Sequence, residues 1–311
     1  MNNNVEESRM WFALSVAALL CWSGSDLFSK IGCSNGKDRY SHLKMLSAVG
    51  AVMFVHAIYQ ITVCKVELNA QIMLAYLPVS CIYIASMAIG YLGLRYIELS
   101  ISSPICNSSG AIVAILSIAT RGIKSLPPLA PAAILLVCAG VVALGITEAT
   151  EDENLRALRQ SGANRKYSRS ALAIVLPIVY CLLDALGTFA DSIVLETMNE
   201  DSANCAYELT FFAVGLVCAI YTMAIKKQKP VVKEAAPRLV GACFETAGQL
   251  FYVYALADTE HVALSAPVIS SYCVASMLWS RIFLKEKLSA KHYLSIGLTV
   301  AGIIILGVLN I

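Results

Sequence analysis

Apolar residues run nearly unbroken for about twenty positions at a time, and polar and charged residues gather in short stretches between the runs. A bilayer core about 30 Å thick takes roughly 20 helical residues at about 1.5 Å each. Ten runs have that length: residues 11–31, 43–63, 72–93, 99–119, 129–146, 171–195, 205–225, 239–257, 262–284 and 293–309. Membrane barrels need alternating segments of roughly ten residues, which these runs are not. The first run is longer than a signal-peptide core and follows Glu6 and Glu7 with only Arg9 against them, so it is expected to stay as a helix. The pattern predicts an all-α integral membrane protein with ten transmembrane helices.

Composition strengthens this reading. Of 311 residues 58% are apolar and 14% charged, and the mean hydropathy is +0.69. A water-soluble chain of this size needs roughly a quarter of its residues charged. The formal net charge of +2 and the lack of basic stretches interleaved with aromatics exclude nucleic acid as a partner. The expected partners are the lipid bilayer and a small-molecule substrate, and a homodimer is left open. Eleven cysteines include no C-x-x-C pair and read as small apolar residues.

The histidines His42, His56, His261 and His292 form no H-E-x-x-H motif, and no glycine loop cradles a nucleotide. Ser109-Gly110 alone is a weak nucleophile signal, so no catalytic residue, metal or cofactor is expected. Ten spans put 19 of the 23 Lys and Arg on one face, while Arg9, Lys65, Arg121 and Lys124 fall on the other beside the acidic Glu196, Glu200 and Asp201. Positive-inside then sets both termini outside.

Shifting the chain against itself by about 163 residues lays Gly24 on Gly187 and Pro104 on Pro267. Cys138 to Gly145 (CAGVVALG) likewise meets Val300 to Gly307 (VAGIIILG). Five spans followed by five related spans cross the membrane in opposite senses, so residues 1–146 and 171–311 read as inverted repeats joined by a linker, 147–170. Three further stretches carry a resemblance: CWSGSD in the first span, LRYIELSISSP leading into the fourth, and FLKEKLS before the tenth. In order and spacing the chain resembles the EamA-like branch of the drug/metabolite transporter superfamily. Lys285 to Leu288 stands where that family has Gly-Glu-Arg-Leu, while Arg121 to Lys124 in the first half lacks the acidic residue. The resemblance implies a carrier, set in a bacterial plasma membrane, whose fourth and ninth spans line a central cavity. Eukaryotic sugar-nucleotide relatives have both termini cytosolic; here the charge count is followed instead.

An ionisable side chain in hydrocarbon costs roughly 2.5–3.5 kcal/mol on insertion scales and must face protein or water. Asp26, Asp184, Asp191 and Glu245 lie inside spans with no Lys or Arg at similar depth, so a cavity they share would attract a cation or a proton. Helical spacing puts Tyr180, Asp184, Gly187 and Asp191 on one stripe, Glu245, Gln249 and Tyr252 on another, and Trp22 with Asp26 on a third. Tyr76, Tyr83 and Gly90 keep a period of seven. Carboxylates beside aromatic faces suit amines and quaternary ammonium ions. Asp191 is the carboxylate nearest a span end, where water would satisfy it.

Pro104 and Pro267 are expected to act as helix hinges. The serines around them either satisfy freed carbonyls or face a substrate. The resulting expectation is a secondary transporter of a small cationic metabolite, coupled to protons through Asp26 or Asp191. Two alternatives stay open: an exporter of neutral amino acids or related metabolites, and a membrane-embedded enzyme or sensor.

Overall fold

The computed structural model describes residues 2–33, 38–96, 99–122, 127–150, 172–228, 232–284 and 288–309. From residue 151 on, the linker expected at 147–170 lies outside the described residues, as do residues 285–287 of the FLKEKLS stretch. Among the described residues there is no strand, because in hydrocarbon every backbone N–H and C=O must bond within its own segment and a helix does this unaided.

The helices are α1 (Asn2–Cys33), α2 (Ser41–Thr62), α3 (Ala70–Tyr96), α4 (Leu99–Asn107), α5 (Ser109–Arg121), α6 (Ala130–Ala149), α7 (Leu172–Val194), α8 (Glu200–Ile220), α9 (Val232–Ala257), α10 (Val262–Ser270), α11 (Tyr272–Trp279) and α12 (Ala290–Leu309). Wider π turns extend α8 over Tyr221–Ile225 and α11 over Ser280–Leu284. Nine segments among the described residues are long and apolar enough to cross a bilayer, and α12 supplies a shorter apolar helix at the tenth expected run. The outer surface is apolar: Val55, Leu74, Ile115, Leu135, Val217 and Leu294 are 65–69% exposed. In water such a surface would drive association; against lipid it is matched. The protein is an integral membrane protein.

α1 packs along α9, α3 along α7, α2 along α8 and α6 along α12. α10 sits on α5 and α11 on α4. Aromatic stacking tightens two of these seams, Phe54 on Phe212 at 4.1 Å between α2 and α8, and Phe28 on Phe244 at 5.9 Å between α1 and α9. Of the eleven free cysteines, Cys33, Cys106, Cys181, Cys205 and Cys273 are buried as expected, while Cys64, Cys81 and Cys243 are exposed.

The fourth and ninth runs, expected as continuous spans, are each broken once. The breaks fall at Ser108 and Ser271, each four residues after a proline. Proline contributes no N–H and pushes its ring against the preceding turn. Past each proline an i−3 bond enters: Ser108 N bonds the Ile105 carbonyl at 3.3 Å, and Ser271 N is shared between the Pro267 carbonyl at 3.1 Å and the Val268 carbonyl at 3.2 Å. The serine hydroxyls add bonds to the carbonyls of Pro104 (3.0 Å) and Val268 (2.5 Å). Here the serines do satisfy backbone carbonyls at the break.

Candidate functional site

The long helices α1, α3, α7 and α9 meet the broken segments α4 and α11 around a central chamber. Trp22, Asp26, Tyr83, Tyr180, Asp184, Glu245, Gln249 and Tyr252 all line it, so eight of the nine expected binding or coupling residues share one wall. Asp191 does not line the chamber. Nor does it sit in water at a span end: it is fully buried and takes a hydrogen bond from the Tyr76 hydroxyl at 2.7 Å. Its other oxygen has no hydrogen-bond partner in the structure.

The two stripes read from spacing alone mesh with each other. Tyr76 meets Asp191, the Tyr83 ring lies against Gly187, and the Tyr180 ring lies against Gly90. A Cβ on Gly187 would stand 2.9 Å from Tyr83, and one on Gly90 would stand 2.8 Å from Tyr180. Only glycine lets these rings approach α7 and α3 so closely. The Tyr83 hydroxyl bonds that of Tyr252 and also Thr188 at 3.2 Å, and Tyr252 donates to Thr188 at 3.0 Å.

Each carboxylate in the chamber accepts a serine hydroxyl. Ser103 and Ser276 donate to Asp26 at 2.6 and 2.8 Å, Ser109 to Asp184 at 2.7 Å, and Ser25 to Glu245 at 2.6 Å. Asn107 Nδ2 donates in turn to the Ser103 hydroxyl at 3.1 Å. Ser103 and Ser109 flank Pro104 on the broken span, so serines there also face the carboxylates. Among the described residues none of these carboxylates, nor Asp191, is ion-paired with Lys, Arg or His. A hydrogen bond to a charged group contributes about 1.5–3 kcal/mol, which orients a carboxylate but leaves its charge unneutralised. Trp22 packs on Tyr252 (4.9 Å) and edge-on to Tyr272 (5.8 Å). The cavity volume is about 70 Å³, room for several waters or a compact solute.

Sequence reasoning missed several members. Tyr91, Tyr207 and Tyr272 line the chamber, and Thr188 bridges two tyrosines. Thr188 lies one turn from Asp184 and Asp191 and would follow from the α7 stripe had neutral hydroxyls been counted. Glu208 is fully buried and receives His56 Nδ1 at 2.8 Å across the α2–α8 seam; both lie inside expected spans, which was the available signal. Among the described residues no group of three or more His, Cys, Asp or Glu is placed to hold a metal.

An acidic chamber walled by aromatics thus lies inside a bundle of apolar helices. Residues 171–308 match the model of the EamA-like transporter family, part of the drug/metabolite transporter superfamily. The match lies in the second half of the chain, over the helices α7 to α12. Among solved structures 28 chains match; one protein crystal structure superposes with a TM-score of 0.65 over 96% of this chain and 97% of that chain, at 14% identity, which shows a shared fold. No curated protein matches.

Proposed function

We propose that this protein is a secondary carrier of a small cationic metabolite, an amine or quaternary ammonium ion. The observation that carries the reading is the chamber itself: Asp26, Asp184 and Glu245 without a counter-cation, faced by Trp22, Tyr252 and Tyr272. Such a cavity attracts positive charge and presents ring faces to it. Gln249 Nε2 and the Tyr91 hydroxyl are buried without a hydrogen-bond partner, and both border the chamber. They suit an acceptor on the solute, such as a hydroxyl or carbonyl. Asp184 and Glu245 are the charge partners. Asp191 carries the coupling proton, since it is fully buried outside the chamber lining and held by the Tyr76 hydroxyl.

The carrier works by alternating access between two inverted five-helix halves, in the plasma membrane of a bacterium as the family resemblance implies. Support for the repeat comes from the packing: exchanging each helix for its counterpart turns the α1–α9 seam into α7–α3 and the α5–α10 seam into α11–α4, and both exist. The two helix breaks, Ser108 and Ser271, are one repeat apart.

A second reading, export of neutral amino acids with the acids carrying only protons, is favoured by one observation: each chamber carboxylate is already held by a serine hydroxyl. Uptake of labelled amines into proteoliposomes separates the two. On the first reading Asp184→Asn and Glu245→Gln each lower uptake at least tenfold, and normal rates in both variants contradict it. On the second, efflux of neutral amino acids follows an imposed pH gradient.

A further inference from the structure

A second cavity opens away from the chamber, where α2, α8 and α9 meet at one end of the bundle. Its volume is about 240 Å³. Lys44 in the first turn of α2 and Arg238 near the start of α9 stand at its polar end, with Thr222 and Gln228, while Ala48, Met223 and Leu239 form an apolar wall. Met223 and Leu239 are 53% and 47% exposed, so this wall continues into the lipid-facing surface. The π turn Tyr221–Ile225 contributes Thr222 and Met223. π turns widen a helix locally and recur at binding sites.

Two cations, Lys44 and Arg238, line the cavity, with Asp38 and Glu234 beside them. Lys44 gives one N–H to Asp38 at 2.8 Å, and Arg238 donates to the Gly32 carbonyl at 3.0 Å and to Asp38 at 3.2 Å. An ammonium carries three N–H and a guanidinium five, so both keep donors for a further acceptor. The N-termini of α2 and α9 add their partial positive charge. An oxygen-rich anion with an apolar tail matches both ends of the cavity.

We propose that this cavity binds the phosphate headgroup of an anionic phospholipid, its acyl chains lying along Met223 and Leu239. Basic recesses between spanning helices are suited to such headgroups. The site is independent of the transported solute.

The test compares thermal unfolding of the purified full chain in bilayer discs of phosphatidylcholine alone and of phosphatidylcholine mixed with phosphatidylglycerol, without added solute. The anionic lipid is expected to raise the melting temperature by a few degrees. Lys44→Gln, which removes the charge, and Ala48→Phe, which fills the cavity, each cut that difference at least by half, and Lys44→Arg retains it. Equal melting in the two lipids, or a full difference persisting in either Lys44→Gln or Ala48→Phe, overturns the proposal. So does inorganic phosphate in phosphatidylcholine discs reproducing the whole shift, because the occupant is then a free anion.

Discussion

At the scale of single residues, hydrocarbon makes every polar side chain account for its partner. The chamber carboxylates answer with serine hydroxyls, and Asp38, between the first two spans, answers with cations. Burial pushes the Asp38 carboxyl up, but the hydrogen bond from Lys44, the Tyr40 amide and the nearby Arg238 charge outweigh it, so its pKa lies below the ordinary carboxylate value. A lowered native pKa means that the clasp's full contribution is present above the unfolded value of about 3.9 and is lost as pH falls through the native one. Asp38→Asn is therefore expected to lower the melting temperature by several degrees near neutral pH, and the gap to wild type should close below about pH 4. A gap independent of pH would contradict the charged clasp. The four carboxylates were legible because a charge inside an apolar run is conspicuous. The serine partners of the three in the chamber, Ser25, Ser103, Ser109 and Ser276, were not, since serine is common in spans and most of its hydroxyls bond a carbonyl on their own helix, as Ser15 does with Trp11.

At the scale of helices, the apolar runs announced the elements, and the stripes on α3 and α7 announced a face for each. What periodicity on one helix cannot state is which stripe opposes which, and here Tyr83 sits on Gly187 and Tyr180 on Gly90. Gly187→Ala places a methyl against the Tyr83 ring, which the Tyr252 and Thr188 hydroxyls hold in place. Overpacking of this kind costs about 1–3 kcal/mol. The expected result is a lower melting temperature with weaker solute binding, whereas an unchanged variant would show that the seam has slack. Pro104 and Pro267, expected as hinges, stand on the two interrupted spans. The break itself falls four residues later, where an i−3 bond enters at a serine, alone at Ser108 and beside the i−4 bond at Ser271.

At the scale of the whole molecule, a bundle with an apolar exterior encloses an acidic, aromatic chamber. The bilayer setting was legible from run length and composition alone. The route by which four separate helices bring Trp22, Asp184, Glu245 and Tyr83 to one cavity was not, since it depends on seams between distant parts of the chain such as α1 with α9. The central claim is that ionised carboxylates in this chamber bind a small cation. Its most direct test is thermal unfolding of detergent-purified protein at about pH 6 and about pH 8, with choline-like cations, polyamines, neutral amino acids and sugar nucleotides added in turn. Cations alone should stabilise the fold, and more strongly at the higher pH, where more of the carboxylates are ionised. Equal stabilisation by neutral amino acids at both pH values, with none by cations, would contradict the claim.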